Sequence, residues 1–198
     1  MSFVPSPDDL RAALDPVADA FEALGIGYRV GGSVASSALG VARSTLDIDV
    51  VADLRGEHVE PLVERLGADY YIDADAIRDA IRRRSSFNLI HLASMMKVDI
   101  FVLKTREFDR QAFARATDRQ VGDGPPRPFP MTTAEDIILH KLEWYRLGNE
   151  IAQRQWDDIL GVLRLQSTTL DRAYLEHWAR ELGIDDLLAR ALAEAGLG

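Results

Sequence analysis

Apolar and polar residues follow two different periods along this chain of 198 residues, and each period predicts a type of element. Over residues 10–24 apolar side chains recur every three or four positions, which predicts an amphipathic helix that Gly25 ends. Over residues 46–53 apolar and polar side chains alternate, which predicts a strand. Asp47 and Asp49 lie on its polar face, because successive side chains of a strand point to opposite sides.

The same two periods predict the remaining elements. Strands are expected at 28–30, 70–72, 87–92 and 97–103, and helices at 33–39, 57–66 and 75–84. Segment 122–130 holds two glycines and four prolines, which predicts an irregular connector. Four helical segments follow, at 132–147, 151–165, 171–182 and 184–195. The pattern predicts an α/β (α+β) fold with a catalytic domain over 1–124 and a helical C-terminal region over 131–198 packed on it.

Composition and charge restrict the chemistry. The chain has no cysteine and no closely spaced histidine pair, which excludes disulfides and argues against a zinc hydrolase. No apolar run approaches the roughly 20 residues that span a bilayer, and the start shows no signal-peptide pattern, so we expect no membrane association and a soluble cytoplasmic protein. The net charge is −9, but segment 78–119 carries +5 and the rest −14. That basic segment suits either a phosphate-bearing partner such as RNA or an ordinary solvated face.

Three carboxylates are the strongest chemical signal. Asp47 and Asp49 lie on one face of a strand, where they repel each other unless a cation lies between them. Asp99 stands among apolar residues in the predicted strand, since Val98 and all of residues 100–103 are apolar, and an unpaired carboxylate there would be costly. If the two strands are neighbours, the three acids converge as a Mg²⁺ or Mn²⁺ site for phosphoryl chemistry. The alternative for Asp47 and Asp49 is a solvated strand end.

Gly31, Gly32 and Ser33 follow a predicted strand and open a short helix. Glycines at such a position let a triphosphate approach the backbone, and the helix N-terminus offers free N–H groups and a favourable dipole. The alternative is a tight turn with no ligand.

Residues 30–51, VGGSVASSALGVARSTLDIDVV, join these features in one string. The string resembles the signature of the nucleotidyltransferase fold superfamily: a Gly-Gly or Gly-Ser turn, a spacer, then Asp-apolar-Asp on a strand of a mixed sheet flanked by helices. Asp99 in KVDIFV matches the third carboxylate of that superfamily. The resemblance implies catalytic and metal-binding roles for Asp47, Asp49 and Asp99. It implies nucleotide binding by Gly31, Gly32, Ser33, Arg43 and Thr45, with a structural salt bridge as the alternative for Arg43.

The C-terminal region resembles one branch of the superfamily. TTAEDIILHKLEWYR and RQWDDILGVL are similar to two elements of AbiEii-like nucleotidyltransferase proteins, which include toxins of toxin–antitoxin systems. Lys141, Arg154 and Asp158 match the lysine, arginine and later aspartate of those elements, whereas Gln155 stands where the branch has an aspartate. Lys141 either contacts a nucleotide phosphate or extends its ammonium into water.

Together these resemblances imply an enzyme that moves a nucleoside monophosphate from a nucleoside triphosphate to an acceptor hydroxyl and releases pyrophosphate. The acceptor is RNA, protein or a small molecule, and a toxin-type enzyme with an antitoxin partner is one form of it. Two alternatives stay open: an inactive binding or regulatory module of the same fold, which Gln155 favours, and an antibiotic-modifying nucleotidyltransferase. An RNA acceptor is expected if the basic segment 78–119 lies beside the three acids.

Overall fold

The computed structural model describes residues 7–39, 47–121 and 126–198, which form two compact units. The first, the sheet unit, consists of residues 7–34, 47–121 and 126–131. The second, the helical unit, consists of residues 35–39 and 132–198. Whether 1–124 and 131–198 are separate domains stays a prediction.

The first part of the chain alternates helices and strands. In chain order the elements are α1 (Pro7–Ala23), β1 (Tyr28–Val30), α2 (Gly32–Leu39), β2 (Asp47–Ala52), α3 (Val59–Leu66), β3 (Tyr70–Tyr71), α4 (Ala74–Arg83), β4 (Ser86–His91), β5 (Lys97–Val102), α5 (Glu107–Ala114), β6 (Thr117–Gln120) and β7 (Pro128–Met131). The strands form one mixed sheet in the order β3-β4-β5-β2-β1-β7-β6. β2 and β5 are parallel neighbours at its centre, while β4 pairs with β5 and β1 pairs with β2 in antiparallel fashion.

Alternation along β2 and β5 determines which face of the sheet is buried. Ile48, Val50, Val98 and Ile100 are fully buried, whereas the acids between them keep partial exposure. Burying four such side chains contributes roughly 1.5–3 kcal/mol each relative to exposure. A shift by one residue would exchange the two faces, so the apolar pattern fixes the register that carries the acids.

The α/β fold with a mixed sheet flanked by helices is confirmed. The strand at 46–53 is confirmed over its described residues, and the strands predicted at 87–92 and 97–103 correspond to β4 and β5, which pair in antiparallel fashion. The prediction of an irregular connector over 122–130 is wrong for residues 128–130, because Pro128–Met131 forms β7 between β1 and β6. Proline has no N–H group, and the nitrogens of Pro128 and Pro130 point to the same side of the strand because the two residues are two positions apart. The N–H groups of Phe129 and Met131 point to the other side, where they can donate hydrogen bonds.

The helical unit contains four helices besides the end of α2: α6 (Ala134–Leu147), α7 (Gln153–Leu165), α8 (Arg172–Glu181) and α9 (Asp185–Ala195). Thr133 caps α6 by accepting a hydrogen bond from the Asp136 N–H. Trp156 is buried in the core of this unit, and its indole N–H donates to Glu194 across 2.8 Å, which ties α7 to α9. None of the helices that the described residues form could span a lipid bilayer.

Candidate active site

Asp49 and Asp99 are register partners on the two central parallel strands. Neighbouring strands lie about 4.8 Å apart, and residues opposite each other in register share a face of the sheet. Asp47 lies two residues before Asp49 and therefore on the same face, opposite Lys97. The fold thus brings all three predicted carboxylates to one face, with the Asp47 side chain 53% exposed and that of Asp99 21% exposed.

The start of α2 is pressed against Asp49. The Gly31 N–H donates to the Asp49 carbonyl oxygen at 2.8 Å, and Gly32 begins the helix with a φ of +54°. A Cβ at Gly32 would lie 1.6 Å from Oδ2 of Asp49, far inside contact distance. Glycine is required here for two reasons, since its φ lies in the left-handed region and the carboxylate occupies the space of any side chain.

Gly32 and Ser33 form the first turn of α2, and both are partly exposed. This turn is where the sequence predicts contact with a triphosphate, and its N–H groups are the donors that a helix start provides. Nucleotide binding by Gly31, Gly32 and Ser33 stays a prediction. Arg43 and Thr45, which were predicted to take part, lie outside the described residues.

Lys97 also contacts this site, although it is not among the site residues that the sequence predicts. Its Nζ lies 2.8 Å from Oδ2 of Asp99 and 3.4 Å from Oδ1 of Asp47. The pKa of the Lys97 ammonium is raised above its ordinary value, first by the hydrogen bond to Asp99 and then by the negative charges of Asp99 and Asp47, against a partial burial that lowers it. The spacing of Lys97 two residues before Asp99 on one strand is the signal that places it on the same face.

The donor set fits a hard divalent cation. Among the residues described, no group of three His, Asp or Glu side chains is drawn together closely enough to hold an ion. The three acids still offer carboxylate oxygens from neighbouring strands on one face, which is the chemistry that Mg²⁺ and Mn²⁺ prefer. Gly32 has no side chain, and Oδ2 of Asp49 occupies the place that its Cβ would take. Metal binding by Asp47, Asp49 and Asp99 stays a prediction.

Lys141 lies in the helical unit, where it is buried and paired. Its Nζ is 2.9 Å from Oδ2 of Asp158, so α6 and α7 bring together the two charged residues that the tail resemblance selected. The alternative of an ammonium extended into water is wrong, because the side chain is only 10% exposed. A phosphate contact by Lys141 stays a prediction. One turn from Asp158, the buried Oε1 of Gln155 accepts no hydrogen bond within the described part of the chain.

The basic segment 78–119 does not form a single surface beside the acids. Its arginines lie on or directly beside α4, α5 and β6, and β6 is four strands away from β5 in the sheet. Several are paired locally: Arg78 with Asp75 and Glu60, Arg106 with Asp109, and Arg110 with Glu107. The positive charge of this segment therefore gives no structural support to an RNA acceptor.

No model of a known protein family matches the sequence, and no curated protein matches it either. The structure is similar to that of an antigenic nucleotidyltransferase-like protein from Paracoccidioides brasiliensis, with a TM-score of 0.56, 16% identity, and coverage of 96% of this chain and 95% of that one. It is similar to the solution structure of the antibiotic-resistance factor ANT(2'')-Ia, with a TM-score of 0.54, 19% identity, and coverage of 95% and 96%.

A crystal structure of ANT(2'')-Ia in complex with adenylyl-2''-tobramycin is also similar, with a TM-score of 0.53, 17% identity, and coverage of 86% of this chain and 95% of that one. The chain has the nucleotidyltransferase fold. The fold that the resemblance of residues 30–51 implies is thereby confirmed. The finer resemblance of the C-terminal region to AbiEii-like proteins stays a prediction.

Proposed function

We propose that this protein is a metal-dependent nucleotidyltransferase that moves a nucleoside monophosphate from a nucleoside triphosphate to an acceptor hydroxyl. The observation that carries the proposal is the pairing of Asp49 with Asp99 in register, with Gly32 seated against Asp49. Because Gly32 has no side chain, the start of α2 lies directly against the Asp49 carboxylate. It is the arrangement expected where backbone N–H groups and acids must meet the same ligand.

In this proposal one group of residues binds the metal ion and another group binds the triphosphate. Asp47, Asp49 and Asp99 would hold Mg²⁺ or Mn²⁺, and the bound ion supplies positive charge to the phosphates. Gly31 and Gly32 let the triphosphate approach the backbone, where the N–H groups at the start of α2 face its oxygens. Most of the rate acceleration then comes from positioning and from neutralising charge.

The reaction is a displacement at the α-phosphorus. The acceptor oxygen forms a new bond to the α-phosphorus, and the bond from that phosphorus to the bridging oxygen of the β-phosphate breaks. Pyrophosphate leaves with the bonding electrons. The proton of the acceptor hydroxyl passes to a carboxylate oxygen of Asp99, the acid that is register-paired with Asp49.

The acceptor divides the proposal into two candidates. The resemblance of the C-terminal region to AbiEii-like proteins supports a toxin-type enzyme that acts on RNA or protein and has an antitoxin partner. A small-molecule acceptor is supported by the similarity to ANT(2'')-Ia, which extends over most of both chains. In one of its structures ANT(2'')-Ia is in complex with adenylyl-2''-tobramycin. The net charge of −9 also suits a cationic small molecule. An inactive binding module rests on Gln155 alone.

One experiment tests the reaction and the acceptor together. The protein is incubated with Mg²⁺ and each of the four ribonucleoside triphosphates labelled at the α-phosphate, in the presence of total RNA, a protein extract or a set of aminoglycosides. We expect labelled product in one pool and no product from Asp49→Asn. Triphosphate binding without transfer to any pool would favour the binding module, and absence of triphosphate binding would contradict both.

A further inference from the structure

The ammonium of Lys97 lies between the first and the third carboxylate of the proposed site. Pairing of β2 with β5 places Lys97 opposite Asp47, and the two-residue period of a strand places it on the same face as Asp99. Its Nζ is 2.8 Å from Oδ2 of Asp99 and 3.4 Å from Oδ1 of Asp47. One ammonium therefore contacts a carboxylate from each of the two central strands.

The contact of Lys97 with the two carboxylates offsets their mutual repulsion, and it opposes the binding of a metal ion. Carboxylates on neighbouring strands repel each other, and the Lys97 ammonium offsets that repulsion while no other cation is bound. A divalent ion that bound the same oxygens would lie within a few ångströms of Nζ and be repelled by it. The side chain is 39% exposed, and its long flexible stem allows the ammonium to move away into water.

We propose that Lys97 is a tethered cation that holds Asp47 and Asp99 before metal and nucleotide bind, and that a divalent metal ion displaces it. The proposal rests on the proposed function, because it takes both aspartates as metal ligands. Lys97 is then a positioning residue, since it keeps two repelling carboxylates in place without touching the reacting atoms. Its ion pairs must break when the metal enters, so their free energy is subtracted from that of metal binding.

Mn²⁺ binding measured without nucleotide tests this displacement. Free Mn²⁺ is followed by electron paramagnetic resonance during titration of the full-length wild type, Lys97→Met, Lys97→Gln and the matched control Lys104→Met. Lys104 is exposed, belongs to the same unit, and follows β5 at the end away from the acids. Its substitution removes the same charge roughly 20 Å farther along the chain, so it reports the general effect of net charge.

We expect both Lys97 variants to bind Mn²⁺ at least about threefold more tightly than the wild type, and Lys104→Met to show a smaller effect. Lys97 variants that bind Mn²⁺ no better than Lys104→Met would overturn the proposal. If Asp49→Asn loses Mn²⁺ binding in the same series, the metal site and the proposed function stand without it. Failure of the wild type and both Lys97 variants to bind Mn²⁺ would overturn both.

Acetylation of the wild-type protein gives a second test that needs no substitution. Dilute acetic anhydride modifies exposed amines, and mass spectrometry measures the modification of each lysine with and without Mg²⁺. Displacement predicts that Mg²⁺ increases the rate of acetylation at Lys97 and leaves the rate at Lys104 unchanged. A rate at Lys97 that stays constant or falls at saturating Mg²⁺ would overturn the proposal.

Discussion

Gly32 and Asp49 approach each other so closely that a Cβ on the glycine would lie 1.6 Å from Oδ2 and 2.4 Å from Cγ of the aspartate. The glycine also has a φ of +54°, which a residue with a side chain adopts only under strain. The first turn of α2 and the acidic face of β2 are therefore fitted to each other. This contact places the start of a helix, with its N–H groups, beside a carboxylate of the proposed metal site.

Gly32→Ala separates strain in the backbone from contact with Asp49. We expect it to lower the free energy of unfolding by about 2–4 kcal/mol, because the left-handed φ and the clash both contribute. Gly25→Ala is the matched control, since Gly25 has a φ of +66° but no atom within 4 Å of an added Cβ. Its cost should be about 1 kcal/mol. Urea unfolding measures both, and equal costs would show that Asp49 moves aside freely.

Asp49→Asn is expected to abolish the stabilisation of the protein by Mg²⁺. Removing one of several clustered carboxylates relieves repulsion in the metal-free protein, so its own stability should stay the same or rise slightly. Asp53→Asn is the control, because Asp53 follows the same strand but pairs with Arg55. Thermal unfolding with and without Mg²⁺ measures the effect. Equal stabilisation of the wild type and Asp49→Asn by Mg²⁺ would place the metal elsewhere.

The central part of the fold and site could be predicted from the sequence. The alternation around Asp47 and Asp49 predicts a strand with the acids on its polar face. The lone carboxylate of Asp99 predicts a shared site with them on the condition that the two strands are neighbours. The structure agrees, because buried residues such as Ile48 and Val98 fix a register that brings Asp49 opposite Asp99.

Other features depend on contacts that a local pattern does not encode. β7 contains two prolines, and its strand conformation results from pairing with β1 and β6, which are distant in sequence. Helix α5 and strand β6 were not predicted, and all four residues of β6 are exposed, so no buried face marks it. The contact of Lys97 with carboxylates on both central strands depends on the register of those strands. The sequence alone shows only that Lys97 is one of the cations in the basic segment 78–119.

The ion pair of Lys141 and Asp158 gives a prediction for the helical unit. Lys141→Met should lower the free energy of unfolding by about 3 kcal/mol, because it removes the cation from a carboxylate that is only 12% exposed. Adding Asp158→Asn should recover part of that loss. Urea unfolding of the two single variants and the double variant measures the coupling, and strictly additive losses would contradict a mutual interaction.

The same variants test whether Lys141 also contacts a nucleotide. A phosphate contact predicts that Lys141→Met weakens triphosphate binding by roughly 1.5–3 kcal/mol, which is typical of a hydrogen bond to a charged group. Asp158→Asn keeps the ammonium and should weaken binding less. Calorimetric titration of both folded variants decides, and equal affinities in the wild type and Lys141→Met would leave Lys141 with a structural role alone.

Ionisation of the Tyr70 hydroxyl is expected to make the protein less stable at alkaline pH. Burial raises the pKa of its hydroxyl above the ordinary value, with smaller contributions from the charges of Asp69 and Asp15, and the hydroxyl donates to the Ala13 carbonyl oxygen at 2.8 Å. A raised folded-state pKa stabilises the fold fully below the unfolded-state value of about 10, and this stability is lost as pH rises through the folded-state value.

Urea unfolding at pH 8 and pH 10.5 measures this loss, which for one group is at most about 1.4 kcal/mol per pH unit. Tyr70→Phe should depend less steeply on pH than the wild type, although it is less stable at pH 8 because the hydrogen bond to Ala13 is lost. Tyr71→Phe is the matched control, since the Tyr71 side chain is exposed on the same strand. The same pH dependence in the wild type and Tyr70→Phe would contradict a role for this hydroxyl.

Binding of a triphosphate through a metal is the central claim, and it can be measured without knowing the acceptor. Calorimetric titration with α,β-methylene analogues of the four triphosphates, in Mg²⁺ and in EDTA, measures it for the wild type and Asp99→Asn. The account predicts that the wild type binds at least one analogue in Mg²⁺ but not in EDTA, and that Asp99→Asn binds it about tenfold or more weakly. Failure of the wild type to bind any analogue in Mg²⁺, or equal binding in EDTA, would contradict it.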